Sequence, residues 1–219
     1  MLPPSAPLTK VAAVLEVRDA PAVERLYFWA LQVGFPDGGA AHVGLQWNAR
    51  HPAGRAANWG GYGPGGRLLD GSPSALPSRP DDPNTRDFGW APGRQYRLQV
   101  APTPGRPGWW RGSIRDLVSG ATTVVRDLAG GGDHLAQPVV WSEVFARCDH
   151  PSTSVRWSGL EAQTADGRLV RPRAVVVGYE AGAAGGCDNT DVRPDGDGWL
   201  QVTAVERGTA PGAVLPLTG

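Results

Sequence analysis

Lysine, isoleucine and methionine each occur once in this 219-residue chain (Lys10, Ile114, Met1), and cysteine only twice. All but one of the 21 basic residues are therefore arginine, a bias that reflects a GC-rich coding sequence and carries no functional message. The 21 basic residues balance 21 acidic ones, so there is no global field to hold nucleic acid or an anionic membrane surface, and neither is expected as a partner. No hydrophobic run reaches the roughly 18 to 20 residues that a membrane helix needs. Val11–Leu15 is too short for a signal h-region and is followed by Glu16, so a cytoplasmic location is expected if the given N-terminus is native. Cys148 and Cys187 are 39 positions apart with no CxxC pair. Two free thiols are expected in a cytoplasmic protein and a disulfide in a secreted one. There is no Gly-x-Ser-x-Gly elbow, and the glycine run at 60–66 lacks the Lys-Ser/Thr ending of a phosphate-binding loop.

What is abundant is glycine and proline, 31 and 21 residues, which excludes a helical bundle. An apolar fraction of 41% still fills a core. Short alternating runs separated by turn residues predict strands near 11–17, 26–34, 41–48, 95–101, 110–117, 122–128, 138–147, 154–162, 173–180 and 199–206. A helix over 22–33, after Asp19-Ala20-Pro21 and before Gly34, competes with the second strand. The β-formers Tyr27, Phe28 and Trp29 favour the strand. The expected architecture is one all-β domain over 1–219, an antiparallel β-sandwich. Residues 1–9 are read as a flexible N-terminus, 50–94 as a long Gly-rich loop or lid over the concave sheet, and 208–219 as a tail.

A turn at Pro36–Gly39 sets Gln32 opposite His42, Ala30 opposite Gly44 and Phe28 opposite Gln46. Alternation then gives one apolar face (Tyr27, Trp29, Leu31, Val33, Val43, Leu45, Trp47) and one carrying Gln32, His42, Gln46 and Asn48 beside Phe28. Amides where a solvated face would carry charges suggest a ligand. In 138–147, Val139, Trp141, Glu143, Phe145 and Arg147 share a face, placing a carboxylate between aromatics.

The runs Tyr27–Val33, Gly44–Trp47, Tyr96–Val100 and Trp110-Arg111-Gly112, with the Gly-rich insertion between them, resemble bacterial proteins of the concanavalin A-like lectin/glucanase class. The resemblance covers roughly residues 20–160 and implies a jelly-roll whose concave sheet commonly holds carbohydrate. The paired acids of that class, two apart on one strand, are missing here, since Glu143 is followed by Phe145 and Arg147.

The expected function is therefore binding of a carbohydrate or other small molecule in an aromatic and amide-lined groove, by Gln32, His42, Gln46, Asn48, Trp59, Arg97, Trp141 and Phe145. The alternative is an enzyme using Glu143 as general acid/base with Arg147 orienting it: a lyase, isomerase or cyclase, or a noncanonical glycoside hydrolase. Against both stands a structural ion pair of Glu143 with Arg147 or Arg97, which takes precedence, and no second carboxylate is evident on a neighbouring strand face, which leaves a loop acid such as Asp87 or Asp149 to reach in. Trp59, Trp90, Trp109 and Trp141 are assigned to the groove, Trp29, Trp47, Trp157 and Trp199 to the core, and Trp110 to neither. No cofactor is expected beyond a Ca²⁺ ion near Asp188, Asp191 and Asp195, in a loop that otherwise reads as a solvated acidic turn. Ligand identity and oligomeric state stay open.

Overall fold

The computed structural model describes residues 7–217, so most of the segment read as a flexible N-terminus lies outside the described residues. Fifteen strands follow in chain order: β1 (Leu8–Asp19), β2 (Tyr27–Gly34), β3 (Ala40–Trp47), β4 (Arg55–Tyr62), β5 (Thr85–Asp87), β6 (Gln95–Pro102), β7 (Trp109–Asp116), β8 (Thr122–Ala129), β9 (Ala136–Val144), β10 (Ser154–Thr164), β11 (Leu169–Val170), β12 (Ala174–Val176), β13 (Thr190–Asp195), β14 (Gly198–Thr203) and β15 (Val214–Pro216). The described residues hold short 3₁₀ turns and no α-helix, so 27–34 is a strand, as its aromatic content favours. No helix among the described residues is long and apolar enough to cross a membrane.

Two antiparallel sheets form a sandwich. One runs β13-β14-β10-β1-β6-β7-β8, with β11 joined to β10, and the other runs β5-β4-β3-β2-β9. Period-2 alternation turns Val11, Ala13, Leu15, Val17, Tyr96, Leu98, Val100 and Ile114 of the first sheet toward Tyr27, Trp29, Leu31, Val33, Val43 and Leu45 of the second, and all are buried in one core. Each aliphatic side chain buried this way stabilises the fold by roughly 1.5 to 3 kcal/mol before chain entropy is counted. The β2–β3 hairpin has the expected register throughout, including Gln32 with His42, Ala30 with Gly44 and Phe28 with Gln46. Its turn is closed by Phe35 N donating to Gly39 O at 2.8 Å.

Two segments differ from the sequence reading. The stretch 50–94 is no lid, because β4 and β5 extend the five-stranded sheet and the chain between them is stitched to β8. Ser72 N donates to Asp127 O and Ala129 N to Asp70 O, both at 2.8 Å, while Arg126 Nη1 donates to Pro83 O and Asn84 Oδ1. Gly60 and Gly61 lie inside β4 because Asn84 packs over the one and Ala40–Ala41 against the other, where a Cβ would collide. Backbone approach replaces side-chain alternation there, and that hid the strand. At the other end, Val214–Pro216 of the supposed tail pairs with β12, and only residues 218–219 lie outside the described chain.

Strand alternation also reassigns tryptophans. Trp59 shares the inward face of β4 with Ala57, is 0% exposed, and donates its Nε1 proton to Trp110 O at 3.1 Å. Its ring lies in the space that Gly112 leaves by lacking a Cβ. Trp90, 1% exposed, donates to Gln46 O at 3.0 Å and stacks edge-on against Trp29. Both are core residues, as is Trp110, whereas Trp29, Trp157 and Trp199 are buried as expected and Trp47 packs against the core.

Candidate functional site

The chemistry-bearing face is the outer surface of the five-stranded sheet. Because Phe28 is opposite Gln46 on one side and Glu143 on the other, the residues Gln46, Phe28 and Glu143 form one row across β3, β2 and β9. At about 4.8 Å per strand, the backbones of Gln46 and Glu143 stand roughly 10 Å apart, with Phe28 as the floor between them. Two side chains of that length can converge on a group lying between them, above the buried Phe28. The neighbouring row has Asn58, Gly44, Ala30 and Trp141 in register and is small only at its centre, Gly44 and Ala30. A Cβ on Gly44 would collide with Phe28 and the β2 backbone, so glycine is what leaves room for the Phe28 ring.

Gln46 is 5% exposed, and Asn48 Nδ2 donates to its Oε1 at 3.3 Å. With Oε1 engaged, the Nε2 hydrogens are what Gln46 offers to a ligand. Asn48 is itself fixed, since its Oδ1 accepts from Arg50 N at 3.1 Å and its carbonyl accepts from His51 N at 3.0 Å. The fully buried His51 ring is held by Asp87 through an Nδ1···Oδ1 contact of 2.7 Å, anchoring that turn to β5.

Phe28, His42 and Trp141 form an edge-to-face triangle with ring centroids 5.0 to 5.6 Å apart. Trp141 Nε1 donates to Gln32 Oε1 at 3.1 Å, which orients the indole beside Glu143. Burial lowers the His42 pKa from 6.5 to about 4, so the imidazole is neutral near pH 7. Because the unfolded chain binds this proton more readily, stability is fully present above about pH 6.5 and is lost as pH falls toward 4. The loss reaches up to about 3 kcal/mol. Urea unfolding of the wild type and His42→Gln across that window checks this: the wild type should lose that much more than the variant, and parallel curves would show that His42 is solvated.

Glu143 is open to solvent on one side, yet partial burial, followed by the charge of Glu180, pushes its carboxyl above the ordinary glutamate value. Among the described residues neither expected arginine pairs with it. Arg147 lies beyond the end of β9, largely exposed, and binds Asp149 at 3.2 Å. Arg97 alternates with the core residues Tyr96 and Leu98 and so points off the outer face of the other sheet, where it pairs with Glu161. Trp59 is on the core side of β4, as described above. Phe145 continues the Glu143 face and is 58% exposed. Thus Gln32, His42, Gln46, Asn48, Trp141, Glu143 and Phe145 share one sheet face, and Arg97, Arg147 and Trp59 do not.

The acidic loop does not assemble a cation cage. Asp195 is bound by Arg18 and Arg156, each at 2.9 Å, Asp191 accepts from Thr209 N at 2.9 Å, and Asp188 is solvated. Among the described residues no three His, Cys, Asp or Glu side chains are grouped to hold a metal. A cavity of about 390 Å³ lies there, lined by Arg18, Gln95, Arg156 and Asp195, on the outer face of the eight-stranded sheet. Its guanidiniums are already neutralised by Asp195 and Asp197, so the chemistry belongs to the Gln46–Glu143 face.

Two features escaped the sequence. Phe28 was visible as the neighbour of Gln46, but its second partner, Glu143, depends on β9 pairing with β2 more than 100 residues away. Glu180 follows a short strand in a loop with no motif around it, and nothing local ties it to Glu143.

No protein-family model matches the sequence, and no curated protein matches it. Among solved structures, scytalido-glutamic peptidase with a transition state analog inhibitor superposes with a TM-score of 0.53 at 14% identity, covering 92% of this chain and 94% of that one. The same enzyme with a peptide-based transition state analog gives 0.52 at 12% identity over 92% and 94%. At such identities, what this chain shares with the glutamic peptidase is its β-sandwich fold.

Proposed function

We propose that the protein is a hydrolase that cleaves peptide bonds by acid–base chemistry on Glu143, with the Gln46 amide as oxyanion donor. The observation that carries this reading is the single row of Gln46, Phe28 and Glu143, in which a carboxyl and an amide face each other across an apolar floor. A peptide crossing this row meets both groups. The Glu143 carboxylate takes a proton from water as the water oxygen bonds to the scissile carbonyl carbon. The carbonyl oxygen becomes the oxyanion and accepts from Gln46 Nε2. The proton held on Glu143 then passes to the departing amine as the C–N bond breaks, returning the carboxylate. A raised Glu143 pKa suits a group that must take a proton and give it back in mildly acidic solution. The two structural neighbours, named for glutamic peptidase and solved with transition state analogs, support the same class.

The carbohydrate reading loses two of its four proposed platforms, because Trp59 and Trp90 are in the core. The sandwich is proposed to have jelly-roll connectivity, a reading supported by β1 lying between β6 and β10 in one sheet and β2 between β3 and β9 in the other. Cys148 and Cys187, left open between free thiols and a disulfide by the sequence, are joined in a disulfide with Cα atoms 5.6 Å apart, and this bond supports an oxidising compartment as the place of work.

Digestion of an unfolded protein substrate between pH 4 and 6 tests the reading. Mass spectrometry in H₂¹⁸O should show new termini, with label entering the new carboxylate. Intact substrate across that range, together with retention on an oligosaccharide column, would replace it with the binding-module reading.

A further inference from the structure

Gln46 has one neighbour able to orient it. Its cross-strand partners on the outer face are Phe28 of β2 and Ala56 of β4, and the preceding residue on the same side of β3 is Gly44, none of which carries a hydrogen-bonding side chain. On the other side stands Asn48, whose Nδ2 donates to Gln46 Oε1 at 3.3 Å. A glutamine amide can present either its oxygen or its hydrogens, so the neighbour that holds one end decides which end meets a ligand. Gln46 Nε2 has no partner among the described residues and is not among the side-chain atoms sealed from solvent without a bond, so it is the end open to the surface.

Asn48 cannot be reversed in the same way. Its Oδ1 accepts from Arg50 N at 3.1 Å, and a backbone N–H only donates, so the oxygen must face Arg50 and the NH₂ must face Gln46. The backbone of Asn48 is held as well, its N–H donating to Gly54 O at 2.8 Å and its carbonyl accepting from His51 N at 3.0 Å. The buried His51 ring fastens that turn to Asp87 of β5. One polarity therefore runs from Arg50 N–H through Asn48 to Gln46.

We propose that Asn48 is a positioning residue of the site, which turns the Gln46 amide so that Nε2, and not Oε1, faces the reacting carbonyl. A reversed amide would set Oε1 against an oxygen that gains negative charge, putting repulsion where a hydrogen bond is needed. The proposal rests on the hydrolase reading for what Nε2 meets, whereas the orientation itself is a property of the resting protein.

Asn48→Asp tests this by reversing the polarity with little change of shape. The introduced carboxylate still accepts from Arg50 N, so the turn is kept, but it offers no hydrogen to Gln46 and instead captures the Nε2 hydrogens. In ¹H–¹⁵N spectra at pH 6, the Gln46 side-chain NH₂ signal, assigned by its loss in Gln46→Glu, should move downfield and exchange with water roughly tenfold more slowly than in the wild type. In peptide cleavage, Asn48→Asp should lower kcat by about 10²- to 10³-fold with KM little changed, matching removal of the donor itself. Asn48→Ala, which leaves the amide free to turn, should lower it by roughly tenfold or less. Added to Gln46→Ala, either change should cost nothing further, whereas a merely structural role for Asn48 would multiply the losses. An unmoved Gln46 signal in Asn48→Asp, or losses that multiply, would overturn the proposal. Near-UV circular dichroism of the buried tryptophans verifies the fold. Should Asn48→Asp fail to fold, Asn48→Ala decides: a loss that vanishes in the Gln46→Ala background supports the positioning role, and an equal loss in both backgrounds ends it. If the Gln46 signal moves as stated while the wild type cleaves no peptide, the hydrolase reading fails and the orientation of Gln46 by Asn48 stands.

Discussion

Replacing Glu143 by glutamine should lower kcat/KM for peptide cleavage by about 10⁴-fold or more and leave the unfolding midpoint within experimental scatter. A positioned general acid or base contributes typically 10²- to 10⁴-fold, and here one carboxyl both accepts the proton of water and returns it to the amine, so both steps fail together. Glutamine keeps the length and shape of the side chain. Glu143 is solvent-open and forms no salt bridge among the described residues, so its charge is not spent on the fold. A surface change of this kind usually alters stability by less than about 0.5 kcal/mol. Steady-state kinetics on a quenched-fluorescence peptide, with urea unfolding alongside, measures both quantities. Undiminished turnover in the variant would remove Glu143 from the mechanism.

The second large effect is expected at Gln46. Truncation to alanine removes the one amide that faces Glu143 across Phe28 and should reduce kcat by about 10²- to 10³-fold, the usual result of deleting an oxyanion donor. KM should change little, because the donor meets its full partner only when the carbonyl oxygen gains charge. Unlike Glu143, Gln46 is buried, and its loss leaves Asn48 Nδ2 without its acceptor, so stability should also fall by about 1 kcal/mol. A variant that raises KM with kcat intact would place Gln46 in ground-state binding instead.

The hairpin that carries Gln46 was legible residue by residue, because a two-sided strand pair joined by a short turn leaves one register that buries Trp29 and Leu45 together. The same alternation identified the Glu143 face of β9 and the aromatic company of Trp141. It failed for Trp59 and Trp90, where glycine-rich backbone broke the pattern, and both indoles proved to be core. Arg97 shows a different limit. Its own strand was read correctly, with Tyr96 and Leu98 inward, but which sheet that strand joins has no local signal, and it joined the sheet opposite the site.

What the sequence by itself determined was therefore ten of the fifteen strands, most of their faces and the one long hairpin, because side-chain alternation and turn chemistry are properties of adjacent residues. The tertiary structure alone decided that β9 lies against β2, that Glu143 consequently stands in one row with Phe28 and Gln46, and that Cys148 meets Cys187. Those outcomes depend on strand order and on contacts between segments distant in the chain. They are settled by how two apolar sheet faces close over one core, a balance that no short stretch of residues contains.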